Sequence, residues 1–194
     1  MWVAAVALSC LICPRRCYKD FIDRRAACQG ADDSLSVIVF DSAVVPANVL
    51  THQPLLSTRH VPTMPGGGTD FLVALTAAGS AVRTTDTEES PVLVFMSDGA
   101  GGNASAEARA LVAMRPDLKL VVIGFGGGAD TANLQLIADA QPGGGKVLAC
   151  KDKFELGDVF SDIADKTEAA AGLVAEFCER LSEVLSQQLA LDYL

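Results

Sequence analysis

Pro91–Gly99 reads PVLVFMSDG, an apolar run from Val92 to Met96 that stops abruptly at Ser97, Asp98 and Gly99. A run this short, bounded by turn residues, predicts a strand buried on both faces. Such a strand needs cover on each side, which constrains the chain to an α/β architecture. Its polar end puts the Asp98 carboxylate at the carboxyl edge of the sheet, where open α/β folds bind ligands. Upstream, Pro65–Phe71 (PGGGTDF) predicts a glycine-rich turn that delivers Thr69 to a helix start.

The remaining elements alternate. Trp2–Leu8 and Ser34–Phe40 predict strands, and Ala43–Leu50 an edge strand ahead of a loop carrying Pro54 and Pro62. Helices are expected over Arg15–Gln29, with Gly30 as stop, and over Asp70–Val82, with Thr69 as an ordinary N-cap. After Val92–Met96 come a helix over Ala104–Met114 capped by Asn103 or Ser105, a strand over Leu118–Ile123 and a helix over Asp130–Ala140 capped by Asp130 or Thr131. A strand over Lys146–Cys150 and a helix over Phe154–Ala164 complete the unit. Strand–helix alternation at crossover lengths predicts a doubly wound, mostly parallel sheet with helices on both faces. From Lys166 the apolar stripe Leu173, Phe177, Leu181, Val184 and Leu185 predicts an extra C-terminal amphipathic helix. The expected division is therefore 1–165 and 166–194.

Half of the 194 residues are hydrophobic, enough for a packed core, and the net charge is −9. Arg15, Arg16, Lys19, Arg24 and Arg25 are interleaved with Asp20 and Asp23, so no basic stripe exists to bind nucleic acid. Met1–Cys13 is too short to span a membrane, and reads as a first strand or as a signal peptide without a basic start. Cys10, Cys13, Cys17 and Cys28 could hold a metal or iron–sulfur cluster, or serve as small buried residues. With Cys150 and Cys178 they do not form a secreted disulfide pattern, and the expected compartment is the cytoplasm. His52 and His60 lie in the proline-rich loop, away from any paired nucleophile, and no catalytic constellation emerges.

Three segments together resemble the von Willebrand factor A (vWA) family: Leu35–Asp41 (LSVIVFD) its second strand, Gly66–Phe71 (GGGTDF) its threonine loop, and Val92–Gly99 (VLVFMSDG) its aspartate strand. Val121–Gly126 and Asn133–Ala138 resemble the strand and helix that follow, so the likeness covers roughly Arg15–Ala164. The resemblance implies a metal-ion-dependent adhesion site in which Mg²⁺ takes octahedral oxygen ligands and accepts an acidic side chain from a protein partner. It makes Thr69 and Asp98 metal ligands and sets Gly68, Asp70 and Gly99 beside them as partner contacts. The family's first strand ends in Asp-x-Ser-x-Ser, whereas here the region reads VAAVALSCLICP, with Ser9 its only hydroxyl. Asp41 and Asp70 are the acids nearest to hand as compensators. The expectation is a non-enzymatic protein-interaction domain, adhesive or scaffolding, with a degenerate Mg²⁺ site.

A rival reading starts from Gly124–Ala129, which fits G-x-G-x-x-G/A after a strand and before a helix, with Asp152 near the distance expected of a ribose-binding acid. It would make the chain a small nucleotide-dependent oxidoreductase with pyrophosphate on the helix N-terminus.

Overall fold

The structure is a computed structural model and describes residues 2–9, 15–27, 32–44, 49–58, 68–86, 89–98, 101–126, 129 and 131–165. In chain order the elements are β1 (Trp2–Ser9), α1 (Arg15–Arg25), β2 (Ser34–Phe40), β3 (Val49–Pro54), a 3₁₀ turn (Leu55–Thr58), α2 (Phe71–Arg83) and β4 (Ser90–Ser97). They continue with α3 (Ser105–Met114), β5 (Lys119–Phe125), α4 (Thr131–Ala138), β6 (Val147–Cys150) and α5 (Lys153–Asp165). The C-terminal helix predicted from Lys166, the stop at Gly30 and the cap at Asp130 fall outside the described residues, as do Cys10, Cys13, Cys28, Cys178 and His60.

The strands form one sheet in the order β3-β2-β1-β4-β5-β6. Every neighbouring pair is parallel except β2–β3, which is antiparallel and puts β3 on an edge. The doubly wound sheet expected from the alternation is thus present. Its two faces can be read residue by residue. Leu35, Val37 and Val39 of β2 and Val92, Val94 and Met96 of β4 pack with Tyr18, Phe21 and Ile22 of α1 and Leu156, Val159 and Phe160 of α5. The intervening Ile38, Phe40, Leu93 and Phe95 pack with α2, α3 and α4. Side chains that alternate between two covered faces leave no polar position in the strand, which is why β4 reads as an unbroken apolar run. Phe21 and Phe160 lock the first layer, with ring centroids 5.4 Å apart.

At the amino end of the sheet Arg25, the last residue of α1, donates Nε to Asp33 Oδ2 at 2.6 Å, just before β2 begins, and both side chains are almost wholly buried. The edge strand departs from expectation: it spans Val49–Pro54, not Ala43–Leu50. Asp41 and Ala43 close a bend, Asp41 Oδ1 accepting the Ala43 N–H at 2.8 Å while Asp41 N–H donates to Ala43 O at 3.1 Å. That bend takes residues 41–43 out of extended geometry. Pro54, lacking an N–H, is tolerated because the outer side of β3 is unpaired. A register shift lies between Leu35 and Val37 of β2, and there His52, with φ at 48°, donates its N–H to Ser36 Oγ at 3.0 Å.

Candidate functional site

β1 has β2 on one side and β4 on the other, so the order of winding reverses between β1 and β4. The connection leaving β1 leads to α1 on one face and the connection leaving β4 leads to α3 on the other. The carboxyl edge at such a reversal is the position where α/β sheets take ligands. Ser9 ends β1, paired with Phe40 of β2, and Leu8 pairs with Met96 of β4. Ser97 ends β4 and is fully buried, and Asp98 follows half-buried, with Ser97 Oγ donating to Asp98 Oδ1 at 3.3 Å.

Thr69 reaches the same edge from the other direction. The Asp70 N–H donates to Asp41 O at 2.8 Å, tying the residue before α2 to the end of β2. Gly68 sits against Ser42, close enough that a β-carbon there would lie 4.0 Å from Ser42 Cβ. Asp70, not Thr69, caps α2: its Oδ1 accepts the N–H groups of Leu72 at 2.9 Å and Val73 at 3.4 Å. The helix begins one residue later than the sequence pattern indicates, so capping falls to the aspartate. Thr69, half-buried, is left just outside the cap.

Gly101 joins the two halves. A β-carbon at this buried position would overlap the Phe71 ring, the first residue of α2, with Cγ at 2.5 Å. Its carbonyl also accepts Asn133 Nδ2 of α4 at 2.9 Å. Gly101 is thus clamped onto the helix that follows Thr69. Phe71 in turn meets Phe95 edge-on, centroids 5.2 Å apart, and Phe95 packs on Phe40 at 5.6 Å. Sequence reasoning missed Gly101 and Asn133, because the contacts that require them come from residues distant in the chain. Of the predicted partner contacts, Gly68 and Asp70 lie at this edge and Gly99 falls outside the described residues.

Among the described residues the donor set does not supply the several fixed oxygens of an octahedral Mg²⁺ shell. Asp41 and Asp70 each direct an oxygen into their own backbone turns, and β1 ends in a serine. Among the described residues no three His, Cys, Asp or Glu side chains form a group able to hold a metal. Of the four clustered cysteines only Cys17, in α1, is described.

The glycines of the rival reading have structural tasks as well. Gly124 lies inside β5, where a β-carbon would press on Leu134 of α4 and Val147 of β6, both at 3.3 Å. Gly126 turns the chain at φ 99° and donates its N–H to Cys150 O at 2.7 Å. Asp152 caps α5, its Oδ1 accepting from Phe154 at 2.7 Å and Glu155 at 3.1 Å. The cap expected from Asn103 or Ser105 differs too. Ala104 occupies the N-cap of α3 without a side-chain bond, and Asn103 Oδ1 accepts the Ser105 N–H at 3.0 Å. No helix among the described residues is long and apolar enough to cross a membrane.

No protein-family model matches the chain, and no curated protein sequence does. Solved structures do. The conserved hypothetical protein BatB from Bacteroides thetaiotaomicron superposes with a TM-score of 0.62 at 15% identity, over 83% of this chain and 96% of its own. Proximal thread matrix protein 1 from the mussel byssus, with a zinc-occupied MIDAS motif, gives 0.60 at 17% identity, over 85% of this chain and 48% of its own. A von Willebrand factor type A protein from Catenulispora acidiphila gives 0.55 at 17% identity, over 85% of this chain and 42% of its own. The chain therefore spans nearly all of one similar structure and about half of the other two. Sheet order and these superpositions agree: the chain has the von Willebrand factor A fold.

Proposed function

We propose that this chain is a non-enzymatic protein-interaction domain, adhesive or scaffolding, that takes its partner at the carboxyl edge, with Thr69 and Asp98 as its central contacts. The observation that carries the reading is the position of Asp98 at the carboxyl edge where the winding reverses, with the residue after Thr69 tied to the end of β2 by the Asp70–Asp41 bond. A similar fold in a thread matrix protein, and a zinc-occupied adhesion motif in that protein, support an interaction role for this edge. Gly68 and Asp70 flank the contact, and the sequence places Gly99 beside Asp98. The compartment we propose is the cytoplasm, because the six cysteines are not spaced as a disulfide framework.

The test is affinity capture with the whole chain and with Asp98→Ala and Thr69→Ala, the fold of each variant checked by circular dichroism. Both variants are expected to keep the fold and lose capture. Capture unchanged by Asp98→Ala would remove this edge as the binding face.

A further inference from the structure

Mg²⁺ sits at such an edge only if the surrounding strand ends supply enough fixed oxygens. Here β1, the strand at the reversal point, ends in Ser9, level with Phe40 and one residue beyond the Leu8–Met96 pair. Counting on from Ser9 in the Asp-x-Ser-x-Ser spacing, the two hydroxyl positions hold Leu11 and Cys13. The two acids that could compensate are held by backbone donors, Asp41 by Ala43 and Asp70 by Leu72 and Val73. We infer that this edge works without a divalent cation: Asp98 and Thr69 meet the partner directly, and the partner group at Asp98 is a hydrogen-bond donor, not a carboxylate. With no cation between them, a partner carboxylate would face Asp98 as a like charge, whereas a lysine, arginine or amide would add a donor to those the carboxylate already has. The polarity of recognition is reversed relative to a metal-bridged site. This inference rests on the reading of the edge as the contact face.

Calorimetric titration of the whole chain with MgCl₂ and MnCl₂ is expected to show no saturable binding. The variant Ser9→Asp/Leu11→Ser/Cys13→Ser, which restores the missing oxygens, is expected to gain saturable Mg²⁺ binding that a further Asp98→Ala abolishes. If that variant does not unfold cooperatively, the titration of the unmodified chain and the EDTA arm of the capture assay decide. Saturable Mg²⁺ binding by the unmodified chain, lost in Asp98→Ala, would overturn the inference, as would a folded restored variant that binds nothing. In the capture assay, EDTA is expected to leave binding intact and Asp98→Lys to abolish it. Loss of capture in EDTA, or stronger capture by Asp98→Lys, would overturn the inference while leaving the edge as the contact face. Indifference to Asp98→Ala is the separate failure of that face.

Discussion

Gly101→Ala tests whether the loop after Asp98 and the start of α2 are one unit. The added β-carbon would stand 2.5 Å from Phe71 Cγ and closer still to two other ring atoms. Carbon atoms pack at about 3.5–4.0 Å, so ring and loop must separate by about 1 Å or more. The ring cannot yield freely, being fully buried and edge-on to Phe95. The loop is held from its far side by Asn133. Gly101 is not in the left-handed region, so alanine brings no backbone strain and the cost is one of packing. Overpacking a core costs about 1–3 kcal/mol, and disturbing the aromatic pair adds about 0.5–1.5 kcal/mol. Restricting the unfolded chain offsets about 0.4–1 kcal/mol of this. The net is a loss of about 0.5–4 kcal/mol, which in a chain of this length lowers Tm by about 1–16 °C.

The assay is thermal and urea unfolding of Gly101→Ala, Phe71→Leu and the double variant. Because Phe71→Leu makes room for the methyl group, the double variant should be less destabilised than the sum, with a coupling of about 0.5–3 kcal/mol. A Gly101→Ala protein as stable as the parent, or strict additivity, would refute the claim that this glycine clamps the two halves of the site.

Two further outcomes follow from the buried polar groups. Asp33→Ala leaves the Arg25 guanidinium buried without its carboxylate partner, and urea unfolding should show a loss of about 3–5 kcal/mol. A loss no larger than that of an exposed pair would mean that water reaches Arg25. Burial, helped by Glu155 and Asp152, pushes the Cys150 thiol up to about 12. At pH 8 its thiolate fraction is then about one in ten thousand, so iodoacetamide followed by peptide mapping should leave Cys150 unlabelled in the folded chain and label it in urea. The stability gained by keeping this thiol neutral is fully present below the ordinary value of 9.0 and is lost as pH rises toward 12.

What could be read in advance was whatever chain order alone determines. The Val92–Met96 run revealed a doubly covered strand because burial on both faces leaves no polar residue in it. Asp98 had to reach the carboxyl edge because it directly follows a parallel strand. Thr69 meets it there because α2, which starts after Thr69, must run back to the start of β4. Features that depend on a single residue of register were harder. Thr69 and Asp70 are both good caps, and only the start of α2 at Phe71 gives the role to Asp70. The bend at Asp41–Ala43, which delays β3, is built by a side chain folding onto its own backbone and leaves no periodic trace. Gly101 was illegible because Phe71, the residue that forbids a side chain there, lies far back in the sequence. Asn133 holds the same loop from α4, where nothing nearby in sequence marks it.

The sheet order also has a consequence in time. β1 leaves the ribosome before either of its partners yet pairs on both sides, with Val3 opposite Ser34 and Trp2 opposite Ser90. Its second partner is not synthesised until β4 emerges, and elongation at about 5–20 residues per second puts that several seconds later. Through that interval β1 has an open hydrogen-bonding edge, which only the slow, long-range closure onto β4 removes. The vulnerable period of this chain's synthesis is therefore the one before β4 is made, and a pause between β3 and β4 would lengthen it.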